Sequence, residues 1–126
     1  MATKSWTILI VEDDPLIRQL YVRFLATKQF VTWEASDGKT GLHLAIEKKP
    51  DIILLDIHMP GMDGITVLQE LRKDPWGASA KVIVLSNLSL GKEEVLGIKK
   101  LNADYMVKAD YSLDAVRQRI ESVLKA

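Results

Sequence analysis

The 126-residue sequence contains no cysteine, which excludes disulfide bonds, thiolate catalysis and zinc–thiolate sites. It also lacks an excess of basic residues, because Lys+Arg and Asp+Glu both number 17. Direct binding of this chain to DNA or RNA phosphates is therefore not expected. No apolar run is long enough to span a membrane, and the N-terminus lacks the apolar core of a signal peptide. We expect a soluble, cytoplasmic protein that binds neither nucleic acid nor membrane.

What the sequence does contain is the composition of one folded domain. The apolar fraction is 48% and the charged fraction is 27%, and neither value suggests disorder. A chain of 126 residues is long enough for one well-formed core, so we expect a single domain over residues 1–126. No linker, internal repeat or low-complexity segment divides it.

Short apolar runs alternate with segments in which apolar residues recur at helical spacing. The run at 52–55 is continuous, which is typical of a strand buried on both faces in a parallel sheet covered by helices. The other predicted strands are 6–11, 30–34, 81–85 and 105–107. Five strands that alternate with five helices predict an α/β fold with a doubly wound parallel sheet and right-handed crossovers.

Capping residues mark where several of the helices begin. Asp14 followed by Pro15 predicts a helix start near Pro15, and Asp63 and Ser112 are predicted to cap the third and fifth helices. The core face of the first helix is predicted from helical spacing. It comprises Leu16, Ile17, Leu20, Phe24 and Leu25.

Polar residues stand directly after four of the predicted strands, namely Glu12 with Asp13, then Asp56, Ser86 and Lys108. Because the carboxyl ends of parallel strands share one edge of the sheet, we expect these residues to gather there. Carboxylates about 4 Å apart repel by roughly 4 kcal/mol at an effective dielectric of about 20, so the cluster needs a cation or protons. Oxygen ligands without His or Cys favour Mg²⁺. A carboxylate is also a competent nucleophile toward phosphorus, and we assign that role to Asp56.

Ser86 and Lys108 supply a hydroxyl and an ammonium that can bind phosphoryl oxygens. Taken singly, Ser86 is explained as a loop or capping residue and Lys108 as a solvated charge. Their joint position after the fourth and fifth strands favours the phosphoryl-binding interpretation. Asp14, in contrast, is explained by helix capping alone.

Four segments, in order, carry a resemblance to a known family: ILIVEDD, DIILLDIHMPGMDG, VIVLS and ADYMVKA. Over nearly its whole length the sequence resembles the receiver domain of bacterial two-component response regulators, and in particular the single-domain, chemotaxis-type receivers. The resemblance implies a flavodoxin-like sheet of strand order 2-1-3-4-5 flanked by five helices. In that order strands one and three are neighbours, so Glu12 and Asp13 would lie beside Asp56.

The resemblance implies a role in phosphorelay signal transduction. Asp56 would accept a phosphoryl group from a sensor histidine kinase or a histidine phosphotransfer protein. Asp13 and Asp56 would bind Mg²⁺ directly. The backbone carbonyl of His58 would be a third protein ligand, and Glu12 would act through a water.

The same resemblance assigns Ser86 and Lys108 to the phosphoryl oxygens, and it makes Tyr105 a switch aromatic that turns inward as Ser86 moves. Phosphorylation adds about −1.5 to −2 charge units, and new contacts to that charge can bias a two-state element. The expected element is the surface of the fourth helix, fifth strand and fifth helix, which would bind a downstream protein. Gly91 and Gly97 weaken the fourth helix and fit a mobile element. A phosphorylation-linked dimer is a further expectation.

Three features depart from the family pattern. Ala109 follows Lys108 where the family usually has proline, often after a cis bond. A cis bond before a non-proline residue costs about 2.5–4 kcal/mol, so we expect a trans bond. Asn87 replaces a residue that is often Ala and should narrow access to the acceptor. His58 and Leu88 occupy the two positions that, in the family which the sequence resembles, flank the path of the hydrolysing water. Because Leu88 cannot orient a water, we predict slow self-dephosphorylation.

Other functions fit the sequence less well. A Mg²⁺-dependent phosphatase that forms an aspartyl-phosphate tends to carry a second Asp two residues after the nucleophile, where this sequence has His58. A flavin-binding protein would need a phosphate-cradling loop after the first strand, where the acidic EDDP would repel phosphate. A degenerate receiver that only binds partners would not need the intact set of Glu12, Asp13, Asp56, Ser86 and Lys108. The sequence also fits a receiver cut from a longer DNA-binding or enzymatic regulator. We expect no enzymatic activity beyond self-catalysed phosphoryl transfer and dephosphorylation.

Overall fold

The structure is a computed structural model, and it describes residues 5–87 and 90–126. Strands and helices alternate along these residues. In chain order they are β1 (Thr7–Val11), α1 (Pro15–Thr27), β2 (Val31–Ala35), α2 (Gly38–Lys48), β3 (Ile52–Asp56), α3 (Gly64–Lys73), β4 (Val82–Ser86), α4 (Lys92–Lys100), β5 (Asp104–Val107) and α5 (Leu113–Lys125). Two short 3₁₀ turns, Gly77–Ser79 and Lys108–Asp110, precede β4 and follow β5. The strands form one parallel sheet in the order β2-β1-β3-β4-β5, which confirms the predicted fold and strand order.

The sheet is covered on both faces, which is why its inner strands read as continuous apolar runs. Every residue of β3 and β4 is buried, whereas most of the edge strand β2 is not. Alternate residues of β1 and β3 point to opposite faces of the sheet. Leu9 and Ile53 pack with residues of α2, α3 and α4, while Ile8 and Ile52 pack with residues of α1 and α5.

The register brings the carboxyl ends of the strands level with one another. Val11 of β1 is paired with Leu55 of β3, and Asp56 of β3 is paired with Leu85 of β4. On the far side of β4, Ser86 is paired with Val107 of β5. Residues that follow these positions therefore lie side by side along one edge, which we call the carboxyl edge of the sheet.

The predicted helix caps are confirmed by side-chain hydrogen bonds. Asp14 accepts from the backbone N–H groups of Leu16 and Ile17, Asp63 accepts from that of Thr66, and Ser112 accepts from that of Ala115. The longest helices, α1 and α5, have 13 residues each. Within the described ranges, none of the helices combines the length and the apolar character that a membrane crossing requires.

The predicted core face of α1 was partly wrong. Leu16 is 82% exposed and Leu20 is 53% exposed, whereas Tyr21 and Leu25 are buried. The helix places Ile17, Tyr21 and Leu25 on one line at four-residue spacing, and that line faces the sheet. Leu16 and Leu20 lie about 100° away from it. The prediction overlooked Tyr21 because it counted only aliphatic residues and Phe.

The other boundaries differ from the prediction by one or two residues. Trp6 and Phe30 precede β1 and β2 and are not part of them, and β4 begins at Val82 after Lys81. The Lys108–Ala109 bond is trans, as expected, since no peptide bond in the described residues is cis.

Candidate functional site

Three carboxylates meet at the carboxyl edge of the sheet. Glu12 and Asp13 follow β1, and Asp56 is the last residue of β3, the neighbouring strand. Each supplies an oxygen, and these oxygens all lie within 4.8 Å of one another. Glu12 is 4% exposed and Asp56 is 3% exposed, while Asp13 is only half-buried. The predicted acidic cluster is therefore assembled, with its open side at Asp13.

Lys108 bridges two of these carboxylates from the opposite edge strand. It begins the 3₁₀ turn after β5, and its ammonium donates to Glu12 Oε1 and to Asp56 Oδ1, the latter at 3.2 Å. Its side chain is 9% exposed. The second oxygen of Glu12, Oε2, accepts from the backbone N–H of Asp14 at 3.1 Å. One cation thus faces a group of three carboxylates.

The electrostatics of the cluster follow from burial and from that imbalance of charge. Burial raises the pKa of Glu12, and the hydrogen bond from Lys108 only partly opposes the rise. Burial likewise raises the pKa of Asp56 against the charge of Lys108, and the charge of Asp13 adds to the rise. Burial alone would lower the pKa of Lys108, but its hydrogen bond to Glu12 and the charge of Asp56 raise it instead. The Lys108 ammonium therefore stays charged. Its single positive charge does not balance the negative charge of the three carboxylates.

The loop after β3 holds Asp56 in place through a close backbone contact. A Cβ at Gly64 would lie 2.3 Å from the carbonyl oxygen of Asp56, which is far inside contact distance. The N–H of Gly64 donates to the carbonyl of Ile57 at 2.9 Å. Gly61, in the same loop, has a φ of +76°, a conformation that favours glycine. The Pro-Gly and Asp-Gly pairs of the sequence are thus explained by the tight return from β3 to α3.

The other predicted residues lie around this cluster. Ser86 ends β4 between Asp56 and Lys108 and is fully buried. The hydroxyl of Tyr105 accepts a hydrogen bond from the backbone N–H of Leu90 at 3.0 Å, which links β5 to the segment before α4. Asn87 is exposed.

Two predictions about this region stay predictions. His58 is exposed in the loop after β3, and nothing tests its carbonyl as a metal ligand. Leu88 lies outside the described residues, so the slow self-dephosphorylation inferred from it is also untested.

The donor set fits a hard divalent cation. All three groups of the acidic cluster offer carboxylate oxygens, which Mg²⁺ prefers, and the half-buried Asp13 leaves a side where waters can complete the coordination. The raised pKa of Glu12 and of Asp56 shows that burial leaves their negative charge poorly compensated. A divalent cation would supply that compensation.

Sequence reasoning missed two residues that contact or border the cluster. Arg18 on α1 donates to the backbone carbonyl of Glu12 at 2.9 Å and to the carboxylate of Glu34 at 2.9 Å. Tyr21 lines a small cavity shared with Glu12, Asp56 and Lys108. The four-residue spacing from Ile17 to Tyr21 to Leu25 could have identified Tyr21 as inward-facing, whereas no pattern in the sequence identifies the partners of Arg18.

Comparison with known proteins gives a consistent family. A family model described as the response regulator receiver domain matches residues 8–121. The probable C4-dicarboxylate response regulator DctR of Bacillus subtilis is 36% identical over 123 residues, which are 96% of this chain and 53% of that protein. The DNA-binding dual master transcriptional regulator RpaA of Synechocystis is 33% identical over 118 residues, which are 94% of this chain and 48% of that protein. The chain thus spans about half the length of these curated relatives.

Solved structures agree with the sequence relatives. The receiver domain of the Francisella response regulator 1452 is 31% identical to this chain and superposes with a TM-score of 0.85. The match covers 96% of this chain and 98% of that one. The fold and the sequence therefore point to the same family.

Proposed function

Because this chain belongs to the response regulator receiver family, whose members act in phosphorelay signalling, we propose that it accepts a phosphoryl group on Asp56. One observation carries the proposal. The carboxylate of Asp56 ends β3 beside two further carboxylates and within 3.2 Å of the Lys108 ammonium. A phosphoryl group on the Asp56 carboxylate would therefore lie within reach of the acidic cluster, which can hold a metal ion, and of the Lys108 ammonium.

The transfer itself is a substitution at phosphorus. An oxygen of Asp56 forms the new P–O bond, the P–N bond of a phosphohistidine breaks, and the released imidazole takes up a proton from solvent. Positioning and charge stabilisation supply most of the catalysis of such a transfer.

Asp13 and Asp56 would hold Mg²⁺ directly, together with the carbonyl of His58, and Glu12 would bind a water of the ion. When bound, the ion would neutralise the negative charge that develops on the phosphoryl oxygens. The open side at Asp13 supports this assignment, because Mg²⁺ retains several waters in protein sites.

Lys108 and Ser86 would bind two of the phosphoryl oxygens. The Lys108 ammonium already lies against Asp56, so a short movement would bring it to an oxygen of the attached phosphoryl group. Ser86 follows the strand position paired with Asp56 and can donate its hydroxyl proton. These contacts exist only in the phosphorylated state, which is the difference that a switch requires.

Tyr105 would transmit the change to α4. Its hydroxyl accepts a hydrogen bond from the backbone N–H of Leu90, just before that helix. Its ring packs against the part of the core that lies between the sheet and helices α3 and α4. A shift of Ser86 toward the phosphoryl group would change the space available to that ring. We infer that α4, β5 and α5 form the surface that a downstream protein reads.

Receiver domains interact with histidine kinases, and α1 offers an apolar surface for that contact. Leu16 is 82% exposed and Leu20, one turn later, is 53% exposed. Both lie on the helix that begins directly after the acidic cluster. Two exposed leucines one helical turn apart form an apolar stripe that a partner protein could cover. We expect Leu16→Gln to slow transfer from a phosphorylated histidine phosphotransfer protein and to leave transfer from acetyl phosphate unchanged.

The experiment that tests the metal requirement is a Mg²⁺ titration of phosphorylation by acetyl phosphate. Asp13→Asn should raise the Mg²⁺ concentration needed for half-maximal phosphorylation by tenfold or more, about the effect of losing a charged ligand. Asp14→Asn is the matched control, since Asn also caps helices and Asp14 is not in the acidic cluster. If Asp13→Asn reached half-maximal phosphorylation at the same Mg²⁺ concentration as wild type, the assignment of Asp13 as a metal ligand would be refuted.

A further inference from the structure

Tyr21 is a buried phenol whose hydroxyl has no hydrogen-bond partner among the described residues. It is 6% exposed, and its ring packs in the apolar layer between the sheet and helices α1 and α5. Burying a hydroxyl without a partner is unfavourable, and buried tyrosines usually find one. Phenylalanine would fill the same apolar space, so packing alone does not explain the hydroxyl of Tyr21.

The space beside Tyr21 connects it to the acidic cluster. A small cavity is lined by Tyr21, by Glu12, Asp56 and Lys108, and by apolar side chains of β1, β3 and β4. Its volume is about 10 Å³, which is the lower limit for one water molecule. Every fully enclosed side-chain N or O atom of the described residues has a hydrogen-bond partner, so the unpartnered hydroxyl is not fully enclosed.

The electrostatics agree with this placement. Burial raises the pKa of Tyr21, the positive charge of Lys108 lowers it, and the charges of Glu12 and Asp56 raise it. The charges of Lys108, Glu12 and Asp56 therefore all act on Tyr21, which lines the same cavity.

Lys108 and a divalent cation compete for the same oxygens. The ammonium donates to one oxygen of Glu12 and one of Asp56, and both residues belong to the cluster that would hold the cation. Two positive charges cannot share these oxygens without repulsion. When the cation binds, the ammonium must give up at least part of its contacts. With only 9% of its side chain exposed, it needs a new acceptor inside the protein.

We propose that the Tyr21 hydroxyl is that acceptor, and that it receives the Lys108 ammonium, directly or through one water in the shared cavity, when a divalent cation occupies the carboxylates. Tyr21 is then a positioning residue, which lowers the free energy required to displace Lys108 and keeps the ammonium next to Asp56. This inference rests on the proposed metal site. It gives helix α1, through Tyr21, a role in metal binding that is separate from that of the carboxylate ligands.

The test is Tyr21→Phe, which removes one oxygen and keeps the ring. Calorimetric titration with MgCl₂ alone should give a Kd about three- to tenfold higher than that of wild type, because a hydrogen bond to the ammonium is lost only in the loaded state. In urea without Mg²⁺, Tyr21→Phe should be at least as stable as wild type. A structural role for the hydroxyl would instead lower stability and leave the Mg²⁺ Kd unchanged.

Tyr111→Phe is the matched control, because it removes the same atom from a tyrosine that is exposed to solvent. It should not change the Mg²⁺ Kd. A second readout is the ¹⁵N resonance of the Lys108 ammonium, which Tyr21→Phe should shift more in the Mg²⁺-loaded protein than in the free protein. Equal shifts in the two states would contradict the proposal.

The outcomes separate this inference from the proposed function. If wild type binds Mg²⁺ and Tyr21→Phe binds it equally well, the role of Tyr21 is refuted and the metal site stands. If wild type does not bind Mg²⁺ at millimolar concentrations, both are refuted. If Tyr21→Phe binds Mg²⁺ more weakly than wild type, Tyr111→Phe binds it equally well, and the metal-free stability of Tyr21→Phe is unchanged or higher, the inference is supported.

Discussion

Replacing Lys108 with methionine should destabilise the metal-free protein far more than the Mg²⁺-loaded protein. The substitution keeps all but one atom of the side chain's length and removes its charge from between Glu12 and Asp56. At 3.2 Å and an effective dielectric of about 20, the attraction between the ammonium and the Asp56 oxygen alone is roughly 5 kcal/mol. The desolvation of Lys108 offsets part of that loss. Removal of one partner of a buried ion pair typically costs about 3–5 kcal/mol, and we expect a decrease of that size in the free energy of unfolding.

Mg²⁺ should recover much of this loss, because the ion would supply positive charge to the same carboxylates. At a Mg²⁺ concentration about 100 times its Kd, binding adds about 2.7 kcal/mol to the free energy of unfolding. Lys108→Met should also bind Mg²⁺ more tightly than wild type, since the ion no longer displaces an ammonium. Urea unfolding followed by circular dichroism, with and without MgCl₂, measures both effects.

Lys81→Met is the matched control for that experiment. The Lys81 ammonium donates to the backbone carbonyls of Val123 and Leu124, at 3.0 and 3.2 Å, and contacts no carboxylate of the cluster. Its removal should lower stability by an amount that MgCl₂ does not restore. If the stability difference between wild type and Lys108→Met were the same with and without Mg²⁺, the assignment of one shared site to the ammonium and the ion would be refuted.

Three further substitutions test how the fold supports the site. Gly64→Ala should lower the free energy of unfolding by about 2 kcal/mol or more and slow phosphorylation by acetyl phosphate, because its Cβ would meet the Asp56 carbonyl oxygen at 2.3 Å. Arg72→Met should lower the free energy of unfolding by about 3 kcal/mol or more in urea and leave the phosphorylation rate unchanged, since its guanidinium donates to four backbone carbonyls away from the cluster. Asp14→Ala should lower the free energy of unfolding by about 1 kcal/mol in the same assay through loss of the α1 cap, and a value equal to that of wild type would contradict that role.

The sequence was sufficient to predict the architecture because each level of its pattern agrees with the others. Fully apolar strands such as β3 require cover on both faces, and the alternation with helices then allows few topologies. The positions of Asp56 and Lys108 followed from one rule, that parallel strands end at the same edge. The Asp14 cap was also predictable, since the interaction is local in sequence.

What could not be predicted depends on side-chain contacts between distant segments. The bridge from Lys108 to both Glu12 and Asp56 requires a side-chain conformation that strand ends alone do not specify. The exposure of Leu16 and Leu20 depends on how α1 is rotated against the sheet, and hydrophobicity alone placed these two of the five predicted residues on the wrong face. The inward direction of Tyr21 was predictable from its spacing to Ile17 and Leu25, but the cavity that it shares with Glu12, Asp56 and Lys108 was not.

The central claim is that residues from four strand ends form one phosphoryl-accepting site with Asp56 as the nucleophile. Intact-mass spectrometry after incubation with acetyl phosphate and MgCl₂ tests it most directly, with Asp56→Asn as the comparison. We predict that wild type gains the mass of one phosphoryl group and that Asp56→Asn gains none. An equal mass gain in the two proteins would contradict the account.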